Sequence, residues 1–273
     1  MVSVEISPWQ SAPFVLQGET VFAVGDVHGC AEELDQLLGA IRGLAHGAAK
    51  FRRLVYLGDL IDRGPDNIGV LRRWAEGAEA QGVDRIERLI GNHEILMLLA
   101  MRGGPLASKA LQAWLSERMG GGTVLAEMRA AVRDPQAPLS YALARAALGQ
   151  PVVDLLLTQR PYLRLGNTLF VHGGLDGRSD QASFLSRPWT AGVNARWAWI
   201  THGFLDWTGG FGGTLVVHGH TPPAKHRRFS GMEDTHQFLH DRLCLDGGSA
   251  RTGVVVGAEL RDGAYRLIKA IRT

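Results

Sequence analysis

An α/β fold built on a parallel sheet is what this sequence predicts, and three observations predict it. Short apolar runs, glycine-bearing loops and stretches of helical period follow one another three times before residue 102. A helix-patterned stretch from Ala107 to Gln159 then interrupts the alternation. Beyond it apolar runs return, two of them ending in a loop that pairs histidine with glycine.

Taken in order, Val21 to Val24 is an apolar run broken by Gly25, and Leu34, Leu37, Leu38, Ile41 and Leu44 follow at helical spacing. A strand, a loop and an amphipathic helix are expected there. Leu54 to Leu57 repeats the strand, residues 58–67 the loop, and Ile68 to Ala80 the helix. Leu89 and Ile90 lead into Gly91, and a helix over Ile95 to Met101 closes the third unit. Within the interruption, helices are expected around Leu111 to Met119, Val124 to Val132, Tyr141 to Leu148 and Val152 to Leu157. Strands are then expected at Tyr162 to Leu165, Thr168 to Val171, Leu215 to Val217 and Leu243 to Leu245. Val254 to Leu260 should pair with Tyr265 to Ile268 through the Asp262-Gly263 turn. The second half is thus expected to build a second, mixed sheet. Residues 1–273 are read as one domain with a helical insertion at about 105–160.

Composition narrows the class. The 273 residues are 45% hydrophobic and 21% charged, the balance of a soluble globular protein. A formal charge of +2 is too small to argue for nucleic acid, and no run is long enough to cross a bilayer. The N-terminus has no basic segment leading into an apolar core, and Cys30 and Cys244 cannot make a disulfide-rich scaffold. The expectation is a cytoplasmic enzyme with no nucleic-acid or membrane partner.

Five motifs carry chemistry, and each falls where a strand is expected to end. GDVHG places Asp26 and His28 two residues apart, an oxygen and a nitrogen ligand on one side of an extended strand end. GDLIDRG places Asp59 at the end of the neighbouring strand, where the two carboxylates can meet at the sheet edge and Asp59 can bridge two metals. Asp62 and Arg63 follow, and by themselves they read equally as a surface ion pair or a helix cap. GNHE offers the Asn92 amide oxygen to a metal, leaves His93 free for proton transfer, and sets Glu94 at a helix start, a structural position. VHGG and HGHT add His172, His218 and His220 beside glycines that let the backbone approach closely. His218 and His220 cannot both be innermost.

This series, with the ending LDGGSARTGVVVGAEL, resembles the phosphoprotein phosphatase family of calcineurin-like metallophosphoesterases over most of the chain. The resemblance implies a two-sheet β-sandwich flanked by helices, an α/β/β/α arrangement of four layers. It implies two divalent metals, manganese first and iron or zinc next, as suits mixed nitrogen and oxygen ligands without thiolate. Asp26, His28 and Asp59 would hold one, and Asp59, Asn92, His172 and His220 the other. It selects His220 as the last ligand and leaves His218 behind it. A metal-activated hydroxide would attack phosphorus directly, His93 oriented by Asp62 would protonate the leaving oxygen, and Arg63 would grip the phosphate.

One departure concerns the second phosphate-binding arginine, which many bacterial relatives supply from a W-x-R element. Here Trp199-Ile200-Thr201 has threonine, and Arg196, in ARWAWI, is the candidate replacement, with an ordinary surface arginine as the alternative. Trp189, Trp197, Trp199 and Trp207 are read as packing. The implied function is a serine/threonine-type phosphoprotein phosphatase acting on phosphoproteins or small phosphate esters. The alternative is a symmetrical dinucleoside tetraphosphate hydrolase, in which Ala would be expected for Asp62 and Asp for Glu94. A non-catalytic phospho-ligand binding protein is the remote third reading.

Overall fold

A computed structural model of the chain describes residues 1–47, 51–227 and 236–273. Strand β1 (Val2–Ile6), β2 (Gln10–Ser11) and β3 (Thr20–Val24) precede helix α1 (Ala31–His46); β4 (Arg52–Tyr56), α2 (Asn67–Trp74), β5 (Arg85–Arg88) and α3 (Asn92–Arg102) follow. The insertion carries α4 (Ala107–Trp114), α5 (Gly122–Val132), α6 (Tyr141–Leu148) and α7 (Gln150–Leu157). The remainder holds β6 (Tyr162–Leu165), β7 (Thr168–Val171), α8 (Gln181–Leu185), α9 (His202–Leu205), β8 (Leu215–His218), β9 (Arg242–Cys244), α10 (Ser249–Thr252), β10 (Val254–Arg261) and β11 (Ala264–Arg272).

Two sheets result, in the order β1-β11-β10-β3-β4-β5, with β2 paired to β11, and β6-β7-β8-β9. β3, β4 and β5 run parallel, as the repeated strand-loop-helix units require. The period-two alternation of β3 explains the layering. Val21 and Ala23 join one core with Phe170, Val217 and Leu243 of the second sheet, while Phe22 and Val24 join the other core with Leu34 and Leu37 of α1. A strand buried on both faces reads as an unbroken apolar run, which is why these were easy to see in the sequence.

The terminal hairpin departs from expectation. β10 and β11 belong to the first sheet, with β10 antiparallel to β3 and pairing Gly257 with Val24. β4 takes one edge of β3, and β10 takes the other. The second sheet is mixed, as expected, but ends at β9: β6-β7 is antiparallel, and β7-β8 and β8-β9 are parallel. α2 also stops earlier than its pattern suggests. Arg88 donates to the carbonyls of Trp74 (3.0 Å) and Glu76 (2.8 Å) and so caps its C-terminal end. α4 ends at Trp114, short of Met119, and this places the indole at the site described next.

Candidate active site

The ends of β3, β4, β7 and β8, with the start of α3, converge on the floor of one cleft of about 860 Å³. The loops after β3 and β4 are forced into uncommon backbone. His28, Asp59, Asp62 and Arg63 all have positive φ (44°, 52°, 78° and 67°), a region that costs most side chains energy. Gly58, at φ 103°, packs against Gly91, where a Cβ would collide with backbone. Glu94 holds this strained turn: its carboxylate accepts from the N–H groups of Asp59 (2.9 Å), Leu60 (2.8 Å) and Gly91 (3.0 Å). Burial and the charge of Asp59 push Glu94 up to about 7 in the metal-free chain, with His172 and the same N–H groups opposing.

Asp59 lies at the centre. Its Oδ2 is 3.2 Å from His172 Nε2, 3.7 Å from His28 Nε2 and 3.8 Å from His93 Nε2. Burial alone would raise its pKa, but His172 and His93 hold the carboxyl well below the usual carboxylate range. Two triads of ligand atoms share it: His28, Asp59 and His93, and Asp59, His172 and His220. Asn92 Oδ1 sits in the second group, 3.0 Å from His172 Nε2 and 2.8 Å from His220 Nδ1. His172 Nδ1 faces the Leu57 carbonyl (3.1 Å) and His28 Nδ1 that of Ile61 (2.8 Å), contacts that fix each ring and turn Nε2 inward.

Asp26 lies on the same floor but outside both triads, accepting the His220 N–H at 3.0 and 3.1 Å. Gly219 makes this approach possible, since a Cβ there would strike the Asp26 carboxylate. Burial, then the nearby Asp246 and Asp59, raises Asp26 well above its ordinary value. His218, two residues earlier at the end of β8, is buried beneath Phe204 at a ring separation of 4.8 Å, with Nδ1 on the Gly219 carbonyl. His220 lines the cleft, and His218 does not.

His93 Nδ1 is 2.6 Å from Asp62 Oδ2, and the Trp114 indole donates to both Asp62 oxygens (3.0 and 2.9 Å). The Arg63 guanidinium reaches His28 Nε2 (2.8 Å) and His93 Nε2 (2.9 Å). Arg196 goes elsewhere: it pairs with Asp176 at 3.2 Å, lies over the Phe184 ring, and is absent from the cleft lining, whereas Thr201 is part of it. Trp197 is buried and Trp189 and Trp207 pack on the core, while Trp199 does so and also lines the cleft. Two contributors had not been singled out. Asp246 is buried at the cleft floor, its aspartate visible only as part of the closing segment, and Trp114 comes from the insertion, where no local signal marks it.

The donor set suits divalent metal. Burial pushes His28 down to about 4 and His220 down to about 3, keeping both imidazoles neutral and able to ligate. Three buried carboxylates, Asp26, Asp59 and Asp246, face one another, and each gains from added positive charge. A two-sheet α/β sandwich with such a floor is that of a metal-dependent phosphoesterase. A family model for calcineurin-like phosphoesterase matches residues 19–247, and the chain belongs to that family.

Among curated relatives, it is 36% identical over 90 residues to the symmetrical bis(5'-nucleosyl)-tetraphosphatase of Paracidovorax citrulli (strain AAC00-1), covering 33% of this chain and 29% of the relative. It is 30% identical over 156 residues to the enzyme of the same name from Janthinobacterium sp. (strain Marseille), covering 57% and 44%. These matches therefore span less than half the length of either relative. Among solved structures, the fold is similar to that of the cold-active protein-tyrosine phosphatase of a psychrophilic Shewanella sp. (TM-score 0.50, 17% identity, 93% of this chain and 80% of that one). Among the described residues, no helix is long and apolar enough to cross a membrane.

Proposed function

We propose that the chain is a dinuclear metal-dependent phosphomonoesterase of the serine/threonine phosphoprotein phosphatase type. The observation that supports it most is the relay from Trp114 through Asp62 to His93, whose Nε2 is 3.8 Å from Asp59. A hydrolase whose leaving group is an alkoxide needs an oriented acid at that place.

Asp26, His28 and Asp59 would hold one dication, and Asp59, Asn92, His172 and His220 the other, with manganese suiting the donors and iron or zinc also able to serve. When bound, two such ions supply Lewis acidity toward phosphoryl oxygens and lower the pKa of water. The chain supplies the rest. Asp62 accepts from His93 Nδ1 and so turns Nε2 toward the centre; once Arg63, which donates to Nε2 in the free chain, has turned to the phosphate, Nε2 would take up a proton from solvent and pass it to the leaving oxygen. Arg63 presents a planar fork beside the same nitrogen, matched to two phosphoryl oxygens. Asp59 and Asp26 carry the negative charge that retains the metals. His218 supports the His220 loop from behind.

A second reading, symmetrical dinucleoside tetraphosphate hydrolysis, is favoured by the names of the partly matching relatives. Asp62 and Glu94 favour the first reading, because they depart from the residues expected in that branch. A side-by-side assay under manganese of phosphopeptides, dinucleoside tetraphosphate and an aryl phosphate decides between them. Dinucleotide turnover faster by orders of magnitude would reverse the order. His93→Asn should retain metal and lower kcat for alkyl phosphates by about 10²–10⁴-fold, with a smaller loss on aryl phosphates. Equal loss on both would remove His93 from the role of acid.

A further inference from the structure

The cleft is asymmetric in charge. Among the described residues, its lining holds only two carboxylates, Asp59 and Asp246, both buried on the floor. The walls above them carry Arg63, Arg118, Lys225 and Arg251. Arg63 is engaged with His28 and His93. Lys225 and Arg251 are exposed, and neither side chain has an acidic or hydrogen-bonding partner among the described residues.

Their segments lie side by side. A Cβ on Gly248 would rest in contact with Pro222, which joins the turn bearing Arg251 to the turn bearing Lys225. The Arg251 turn is anchored to the floor rather than free. Gly248 N–H donates to Asp246 (2.7 Å), Ser249 Oγ to the Val27 carbonyl (2.9 Å) and Thr252 Oγ1 to the Gly247 carbonyl (2.8 Å). Behind it, Gly253 N–H donates to Ser249 and its carbonyl accepts from Arg272 N–H in β11. Tethering of this kind fixes the place of the Arg251 turn on the cleft wall, and such preorganisation lowers the cost of binding a second anion there.

We propose that Arg251 and Lys225 form a second anion-binding subsite, which takes a further phosphate of the same substrate molecule whose first phosphoryl group lies at Arg63. The substrate class is therefore a phosphate ester that carries at least one further phosphate elsewhere on the same molecule. This rests on the phosphoesterase reading of the floor.

The test uses the metal-loaded protein and 4-nitrophenyl phosphate hydrolysis as the reporter. Competitive inhibition is measured for propyl phosphate, for a series of α,ω-alkanediol bisphosphates of increasing chain length, and for a dinucleoside tetraphosphate. Within each protein, the ratio of the monophosphate Ki to the best multi-phosphate Ki is the readout, so that a change of basal turnover cancels. The wild type should show a ratio of at least about tenfold, the equivalent of one fixed ion pair of about 1.4 kcal/mol. In Lys225→Ala/Arg251→Ala the ratio should fall below about threefold, with Arg251→Lys between them. An advantage confined to the alkanediol series identifies phosphates on separate hydroxyls, and one confined to the tetraphosphate identifies an anhydride chain. A wild-type ratio near one for every compound, or a ratio unchanged in the double variant, overturns the subsite. Were the metal-loaded wild type to hydrolyse no ester, the phosphoesterase reading would fail, and calorimetric binding of the same compounds to both proteins would still test the subsite.

Discussion

On the floor of the cleft, Asp26, His28, Asp59, Asn92 and His172 are buried, and each touches a backbone group or ring that fixes it. On the walls, Arg118 from the insertion, Lys225 and Arg251 are exposed. The difference teaches where precision is needed. Reacting groups must be held to fractions of an ångström, which burial and strained backbone can do, whereas groups that choose among substrates act through charge at longer range.

The largest effect should come from Asp59→Asn, which removes the charge shared by both triads. Metal analysis should show loss of at least one equivalent, and kcat should fall by orders of magnitude while far-ultraviolet circular dichroism is unchanged. Full metal retention with normal turnover would mean that the floor does not depend on its central carboxylate.

Glu94→Gln probes how the floor is held. In the metal-loaded protein an amide cannot accept all three N–H groups, and the loss should be about 1–3 kcal/mol by denaturant titration. The metal-free protein should behave differently. There the folded pKa of about 7 lies above the ordinary value of 4.5, so the native state binds more protons than the unfolded chain between those limits. Glu94 thus contributes stability that is complete below about 4.5 and is lost as the pH rises through about 7. The variant should flatten that part of the curve. An identical pH slope in both proteins would show that the carboxyl ionises normally.

Trp114→Phe tests how the insertion supports the His93–Asp62 pair. Without the indole, Asp62 keeps His93 but loses the Trp114 N–H, which lies 3.0 and 2.9 Å from its two oxygens. A fall of about tenfold in kcat with metal content intact is expected, at the low end of what loss of a supporting hydrogen bond costs. No change would make the insertion a substrate wall alone.

Legibility in the sequence follows the same division. The floor could be read because its residues sit in short motifs beside the glycines that strand ends need, as at Gly58-Asp59 and Gly219-His220. Trp114 could not, because a helix-patterned insertion shows which residues face inward but not which distant carboxylate an indole meets. Asp246 was hidden in a segment noticed for its overall likeness. The place of β10 was missed for a related reason: chain order suggested the nearer sheet, while the unpaired edge of β3 decided the outcome.

Arg196 gives the smallest expected effect and the sharpest test of how walls are read. Its position three residues before Trp199 made it a candidate phosphate clamp, yet a guanidinium engaged with Asp176 and the Phe184 face is committed outside the cleft. That pair is largely exposed on the arginine side, so its removal should cost no more than a few tenths of a kcal/mol, in the range of surface ion pairs. Arg196→Ala should therefore change KM for an aryl phosphate by less than about twofold, well under the ~1.4 kcal/mol that a tenfold loss represents. A tenfold rise in KM at constant kcat would mean that the side chain leaves Asp176 when substrate arrives, and the cleft wall would then have to be redrawn with Arg196 in it.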